Sequence, residues 1–238
     1  MSNTQVALVT GVSSGLGHGL AEELLERGWE VLGTSRRQPE DLIQRDGFTF
    51  RAIDFSRLDE IAAPLRELIG PRHRFDVAIL NAGVLGKIRD LTDTPLADLR
   101  HTMDVNVWAN KVLLDTLFER ATPAQVIAIS SGAAVSGARG WNGYAISKAA
   151  LNMLIAQYAA ERDDTHFTAL APGLIDTAMQ EYLCALPSRA EYPVVDRLKK
   201  SRGTRDMPGP REAAKQLVQV FPRLLESESG SFLDVRSL

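Results

Sequence analysis

The sequence predicts an α/β fold, in which a doubly wound parallel sheet lies between two layers of helices. Two observations carry this prediction. Short β-rich runs alternate with longer amphipathic stretches along the whole chain. The short runs are apolar on both faces, which is typical of strands buried in a parallel sheet. Right-handed crossovers between such strands leave the doubly wound fold as the natural topology.

The elements follow from this alternation in chain order. The apolar runs predict seven strands at 6–10, 29–34, 48–53, 76–80, 125–129, 166–170 and 232–235. The amphipathic stretches between them predict helices at 15–27, 58–69, 96–120, 143–162 and 211–225. In the first helix, Leu16, Leu20 and Leu24 lie on one stripe, and Gly28 is expected to end the helix as its C′ residue.

Composition and charge exclude several classes of function. The 238 residues carry 27 Lys and Arg against 30 Asp and Glu, and a net charge of −3 argues against non-specific nucleic-acid binding. No apolar run approaches the roughly 20 residues that cross a bilayer, and no signal peptide is visible. Cys184 is the only cysteine, so neither an internal disulfide nor a cysteine-built zinc site is expected. The four histidines are scattered, and we interpret them as structural or surface residues, with no metal site.

These observations predict one cytoplasmic domain spanning residues 1–238. Its one irregular region, 174–210, is rich in Pro, Arg and charge and lacks a strand. It is too long for a plain connection, so we expect it to be a substrate-binding lid.

A glycine-rich turn between the first strand and the first helix predicts a phosphate site. Residues 10–17 read TGVSSGLG. Glycines let the backbone turn tightly and approach a pyrophosphate, while the helix N-terminus supplies unpaired N–H groups and a favourable dipole. The alternative is a plain turn between a strand and a helix. The residues assigned to the phosphate site are Gly11, Ser13, Ser14, Gly15, Leu16 and Gly17.

The end of the second strand indicates which dinucleotide binds. An NAD site carries an acidic residue there, which binds the ribose 2′-hydroxyl. Here the stretch 34–37 reads TSRR, with no acid. Because guanidinium groups match a 2′-phosphate in charge and geometry, Arg36 and Arg37 favour NADP(H). The alternative is that the arginine pair is a solvated loop end.

Three side chains at the same edge of the predicted sheet carry the candidate chemistry. Tyr144 and Lys148 are four residues apart at the start of a helix and share one face. Ser131 follows the fifth strand, and the carboxyl ends of parallel strands line the ligand crevice. A nearby ammonium and the oxidised nicotinamide favour phenolate, so we expect Lys148 and the cofactor to lower the pKa of Tyr144 towards the working range. Tyr144 is then suited to protonate a developing alkoxide that Ser131 also hydrogen-bonds.

Together with further motifs, this set resembles the short-chain dehydrogenase/reductase family across essentially the whole chain. The resemblance implies a Rossmann-type three-layer sandwich with a seven-stranded parallel sheet. It also implies a homo-oligomer, a dimer or tetramer, built on the two long helices 96–120 and 143–162. The additional matching motifs are Asp54, Asn81-Ala82-Gly83, Asn106, and Pro172-Gly173 leading to Thr177.

The resemblance also implies individual roles. Asp54 would contact the adenine, and Ile175 and Thr177 would bind the carboxamide of the cofactor. Asn106 would sit at a local break in its helix and hold a water that links Lys148 to solvent, which makes it a fourth catalytic residue. The other residues implied to bind cofactor are Asn81, Ala82, Gly83, Tyr144, Lys148, Pro172 and Gly173.

Within the family, the segments 140–144, 171–180 and 230–234 are similar to those of sepiapterin reductases and, equally, of benzil reductases. This likeness implies a small ketone or diketone substrate, held by Ser131, Trp141, Tyr144 and Asp234. Asp234 matches the position that anchors the pterin in sepiapterin reductases, and its alternative role is a strand-end carboxylate bonded to the backbone. Ser14 stands where these reductases commonly carry arginine, which leaves the NADP preference mainly on Arg36.

Two other functions stay open on the sequence alone. One is an alcohol dehydrogenase that works oxidatively with NAD, since the chemistry is reversible. The other is a redox-sensing protein that binds the cofactor without turnover. Such proteins typically lose the tyrosine or the lysine, and this chain keeps both Tyr144 and Lys148.

Overall fold

A parallel sheet of seven strands runs through residues 4–238, which are the residues that the computed structural model describes. The strand order is β3-β2-β1-β4-β5-β6-β7, and every neighbouring pair is parallel. The predicted doubly wound sheet is therefore confirmed. The strands are β1 (Val6–Thr10), β2 (Glu30–Ser35), β3 (Phe48–Ala52), β4 (Arg74–Leu80), β5 (Thr122–Ile129), β6 (His166–Ala171) and β7 (Ser231–Asp234).

Helices cover both faces of this sheet and bury two separate apolar layers. On one face α1 (Gly15–Glu26) packs beside α8 (Pro210–Leu224). Gly28, whose φ is 80°, follows the C-cap Arg27 of α1 as its C′ residue. The other face carries α2 (Ala62–Ile69), α4 (Ala109–Phe118) and α5 (Asn142–Glu161). No helix within residues 4–238 is both long and apolar enough to span a bilayer.

The helix predicted over 96–120 is interrupted in its middle. It consists of α3 (Leu96–Met103), a π turn (Asp104–Trp108) and α4. A π turn inserts an extra residue into the helical ladder and rotates the side chains that follow it. Asn106 lies in this turn and is fully buried, so the break implied by the family resemblance is present at that position.

The segment 174–210 is more regular than the sequence indicates. It contains α6 (Ala178–Ala185) and α7 (Pro193–Ser201), neither of which the hydrophobic pattern predicts. Each is too short for the periodicity to stand out. Leu183 of α6 and Leu198 of α7 are buried in a third apolar cluster with Trp141 and Met207. This cluster attaches the segment to the loop that precedes α5.

Candidate active site

The glycine-rich turn has the close packing that its sequence predicts. Gly11 and Gly15 have φ angles of 79° and 61°, a region that favours glycine. A Cβ atom on Gly17 would lie 2.3 Å from Asn81 Nδ2 and 2.4 Å from the Gly11 carbonyl oxygen, so α1 packs directly against the turn. Ser14 precedes α1 without a side-chain cap, which leaves the N–H groups of the first helical turn open towards the cavity.

A cavity of about 630 Å³ opens at the carboxyl ends of the strands. Nearly every predicted cofactor residue lines it, as do Ser131, Trp141, Tyr144 and Lys148. Gly17, Asn106 and Asp234 are not among the residues that line it. The cofactor residues along the cavity are Gly11, Ser13, Ser14, Gly15, Leu16, Arg36, Arg37, Asp54, Asn81, Ala82, Gly83, Pro172, Gly173, Ile175 and Thr177.

Ser131, Tyr144 and Lys148 meet at one end of this cavity. Ser131 follows β5, and its Oγ accepts the Ala133 N–H at 3.1 Å. Tyr144 lies in the first turn of α5, and Lys148 Nζ stands 5.8 Å from the centre of its ring. Lys148 also donates to the Ile129 carbonyl at 2.6 Å. The two residues of α5 are thus held against the end of β5.

Burial dominates the ionisation of both α5 side chains. Burial raises the pKa of the Tyr144 hydroxyl, and a contact with the Ser131 hydroxyl partly opposes that rise. Burial also lowers the pKa of Lys148 to about 8. Within the chain, burial is the larger influence on the Tyr144 pKa, and the lowering expected from the ammonium together with the oxidised nicotinamide stays a prediction. Tyr144 stays protonated near neutral pH.

Asn106 connects the loop after β4 to the first turn of α5 by side-chain hydrogen bonds. Its Oδ1 accepts the Val84 N–H at 2.8 Å, and its Nδ2 donates to the Val84 carbonyl and to Ser147 Oγ, both at 2.9 Å. Ser147 in turn donates to the Tyr144 carbonyl at 2.8 Å. The π turn therefore connects the loop after β4 to the first turn of α5. The sequence did not indicate this use of Ser147.

The far end of the cavity carries the predicted determinants of cofactor choice. Arg36 and Arg37 follow β2 and are exposed, with no ion-pair partner among the described residues. Asp54 accepts hydrogen bonds from the Ser56 backbone N–H at 2.9 Å and from the Ser56 hydroxyl at 2.8 Å, and these bonds hold the pKa of Asp54 below its usual value. The arrangement gives two free guanidinium groups beside one ionised carboxylate.

Apolar side chains form the walls near Tyr144. The Trp141 ring lies 5.8 Å from the Tyr144 ring, centre to centre, and both belong to the apolar cluster under the 174–210 segment. The other apolar residues along this part of the cavity include Ala138, Met179, Leu183, Val194 and Leu198. Such walls suit a small organic substrate.

A polar clasp joins the start of α7 to two neighbouring loops. Arg139 donates from Nε to Asp90 at 2.7 Å, and the Tyr192 hydroxyl donates to the same carboxylate at 3.3 Å. The Arg139 guanidinium also lies 5.9 Å from the centre of the Tyr192 ring. Gly140 has no room for a Cβ, which would be 2.9 Å from Tyr192. These contacts hold α7 beside the cavity.

Three basic side chains along the cavity were missed by the sequence analysis. Arg236 comes from the turn after β7, Arg197 from α7, and His101, interpreted as structural or surface, from α3. No sequence motif marks any of them, because each reaches the cavity through the fold of a distant segment. Asp234 accepts the Arg236 backbone N–H at 3.0 Å, as expected for a strand-end carboxylate.

Comparisons with known proteins agree with this geometry. The profile of the family described as short chain dehydrogenase matches residues 5–185. A benzil reductase of Bacillus subtilis that forms (S)-benzoin is 27% identical over 245 residues, 98% of each chain. In structure, the chain is similar to the KRED1-Pglu enzyme, with a TM-score of 0.85 at 22% identity over 97% of this chain and 100% of that one. A Shigella flexneri protein solved as a complex with NADP has a TM-score of 0.79 at 20% identity, covering 98% of both chains.

Proposed function

Because the chain belongs to the short-chain dehydrogenase family, we propose that it catalyses the NADPH-dependent reduction of a small ketone or diketone to an alcohol. The observation that carries the proposal is the convergence of Ser131, Tyr144 and Lys148 at one end of the cavity. The benzil reductase of Bacillus subtilis, similar over nearly its full length, supports a diketone of the benzil type.

The side chains divide the reaction between them. When bound, the nicotinamide cofactor supplies a hydride to the carbonyl carbon. Ser131 donates a hydrogen bond to the carbonyl oxygen, and Tyr144 gives that oxygen its proton as negative charge develops. A new C–H bond and a new O–H bond replace the carbonyl π bond. The raised pKa of Tyr144 supports reduction, since the phenol holds a proton to give at neutral pH.

Lys148 and Asn106 support Tyr144 in this scheme. Below pH 8 the Lys148 amine is cationic, and its charge near the Tyr144 ring stabilises the phenolate that proton transfer leaves behind. Asn106, through Ser147, orients the turn of α5 that carries Tyr144. We propose that Lys148 also binds the ribose beside the nicotinamide. We propose that Asn106 binds a water molecule that helps to return a proton to Tyr144.

The preference for NADPH rests on Arg36 and Arg37. Both guanidinium groups lie at the end of β2 with no carboxylate partner among the described residues, and a 2′-phosphate would supply one. The open N-terminus of α1 suits the pyrophosphate, and the glycine turn leaves room for it. The Shigella flexneri protein complexed with NADP supports the same choice.

The segment 174–210 is proposed as the substrate-binding lid. Its helices α6 and α7 contribute Met179, Leu183 and Leu198 to the apolar walls. The clasp at Tyr192 supports a closed position over the substrate.

We further propose a cytoplasmic homo-oligomer built on α4 and α5. Ile146 and Met153 of α5 are 46% and 61% exposed, and Trp108 next to α4 is 46% exposed, so these helices carry apolar surface suited to a second copy. Sedimentation of the purified protein tests this, and a monomer at micromolar concentration would contradict it.

The test of the proposed function is turnover of benzil, with sepiapterin in parallel, using NADPH and NADH. We expect benzil to be reduced faster with NADPH, followed as loss of absorbance at the NADPH band. Tyr144→Phe should lower kcat at least a hundredfold, because general acid catalysis typically contributes that much. Tyr158→Phe is the matched control: it lies on the same helix but bonds Asp115, away from the cavity. Equal rates for wild type and Tyr144→Phe would refute the mechanism, and equal rates with NADH would refute the cofactor choice.

A further inference from the structure

The last strand ends in an ion pair whose guanidinium, rather than its carboxylate, reaches the cavity. Asp234 Oδ1 accepts Arg236 Nε at 2.8 Å as well as the Arg236 backbone N–H at 3.0 Å, and Oδ2 accepts Nη2. The Asp234 side chain is 19% exposed, whereas that of Arg236 is 66% exposed. Both carboxylate oxygens are thus already occupied, and Asp234 has little left to offer a ligand.

Arg236 lies beside the residue that follows the predicted catalytic serine. A Cβ atom built on Gly132 would be 3.6 Å from Arg236 Nη2, and Gly132 directly follows Ser131. The sheet explains this proximity, since β5, β6 and β7 are consecutive neighbours and all end at the cavity. Ser131, Gly132 and Arg236 all line the cavity, so the guanidinium lies on the same side of it as the predicted catalytic serine.

The polar groups at this end of the cavity are mainly hydrogen-bond donors. A guanidinium has five N–H groups, and Asp234 uses one from Nε and one from Nη2, so three remain. Arg197 of α7 is a second guanidinium along the cavity. The only carboxylate along the described cavity is Asp54, at the end where Arg36 and Arg37 lie.

We propose that Arg236 is a specificity-determining residue that binds the second oxygen of a vicinal dicarbonyl substrate; this inference rests on the proposed function. Ser131 and Tyr144 take the oxygen that is reduced, and the adjacent oxygen, an acceptor without protons, meets the free N–H groups of Arg236. A pterin carries ring N–H donors in addition to its acceptors, and the carboxylate that would accept from those donors is already bound by Arg236. The geometry therefore favours a diketone over a pterin.

The test compares two substrates with the same carbon skeleton. 1-Phenylpropane-1,2-dione has the second oxygen, and propiophenone lacks it. The measured quantity is the ratio of kcat/KM for the dione to that for the monoketone, with NADPH, in wild type and variants. Because every variant is compared on the same two compounds, their difference in intrinsic reactivity cancels.

Arg236→Gln removes the charge and the fork, and we expect it to lower this ratio about tenfold, in line with the loss of one charged hydrogen bond at an exposed site. Arg236→Lys keeps the charge without the fork and should lower the ratio less. Arg162→Gln is the matched control, since Arg162 pairs in the same way with a carboxylate two residues away, from Nε to Asp164 at 3.1 Å and from Nη2 at 2.9 Å. It lies outside both the cavity lining and the 174–210 segment, and its ratio should equal that of wild type.

The outcomes separate this inference from the proposed function. If wild type reduces neither ketone with NADPH, the proposed function fails. If wild type reduces the dione and Arg236→Gln leaves the ratio unchanged, only the role of Arg236 is refuted. If Arg236→Gln lowers the ratio and also gains activity on sepiapterin, the ion pair of Arg236 with Asp234 is what excludes a pterin, and the inference is supported. Thermal unfolding and NADPH titration show whether Arg236→Gln is folded, and Arg236→Lys decides the question if it is not.

Discussion

Lys148 offers a test of the energetics of the site that does not depend on knowing the substrate. Its side chain is 4% exposed, and its Nζ donates to the Ile129 carbonyl but forms no ion pair with a described carboxylate. The perturbation is Lys148→Met, which keeps the length of the side chain and removes its charge. The comparison is the free energy of unfolding of the two proteins as a function of pH.

The magnitude follows from the displaced pKa of Lys148. Burial lowers it from 10.5 to about 8 in the folded protein, and about 1.4 kcal/mol per pH unit makes this worth about 3 kcal/mol. Below pH 8 both the folded and the unfolded chain carry the cation, and the folded one bears the full cost of burying it. Between pH 8 and 10.5 the folded protein has released the proton while the unfolded chain still binds it, so stability rises with pH. Lys148→Met lacks this rise.

The assay is urea unfolding without cofactor, followed by tryptophan fluorescence, from pH 7 to pH 10. The stability of wild type relative to Lys148→Met should rise by about 2 to 3 kcal/mol over this range. Other titrating groups affect both proteins alike and cancel in the difference. Lys215→Met, at an exposed position of α8, is the control and should run parallel to wild type. Parallel curves for wild type and Lys148→Met would refute the account of Lys148 as a buried, unpaired cation.

Three further changes test the surrounding framework. Gly17→Ala places a Cβ 2.3 Å from Asn81 Nδ2, so it should lower the free energy of unfolding by about 1–3 kcal/mol and weaken NADPH binding. Gly137→Ala, with open space around it, is the control and should change neither quantity. Equal effects of the two substitutions in urea unfolding and cofactor titration would contradict the packing of the turn. Asn106→Ala removes three buried hydrogen bonds and should cost about 3 kcal/mol in thermal or urea unfolding, and a loss below 1 kcal/mol would show that the clamp is not formed. Arg36→Ser should raise the Kd for NADPH at least tenfold and leave that for NADH unchanged, measured by fluorescence titration; a parallel loss for both cofactors would remove Arg36 from 2′-phosphate recognition.

The sheet and the residues at strand ends were predictable because both follow from local patterns. Strands such as Val6–Thr10 are continuous apolar runs, and the carboxyl ends of parallel strands share one edge of the sheet. The glycine turn, Ser131 and the α5 pair Tyr144 and Lys148 are therefore expected at that edge whatever the strand order, and all of them line the cavity. The π turn at Asn106 was not visible in the hydrophobic pattern, because one inserted residue changes the apolar spacing at a single place only. The family resemblance supplied it instead.

Contacts between distant segments were beyond a reading of the sequence. Arg236 reaches Gly132 across more than a hundred residues, and nothing in either segment marks the partner. The same holds for the clasp between Asp90 and Tyr192. It also holds for the short helices of 174–210, whose apolar residues are buried by packing in one cluster with Trp141. The proposed substrate specificity depends on such contacts, which is why the sequence alone does not indicate the substrate.

The strand order has a further consequence for how the chain acquires its structure. β1 lies between β2 and β4, and its pairing with β4 joins residues about seventy positions apart, as in the register of Ala7 with Val77. Parallel pairs of this kind close large loops before they gain contacts, which makes folding slow and exposes apolar strands meanwhile. On the ribosome, β1 to β4 can assemble before β5 is synthesised, which leaves the edge of the apolar strand β4 unpaired. Low temperature and slow expression should therefore raise the yield of native protein more than they would for a helical bundle of the same length.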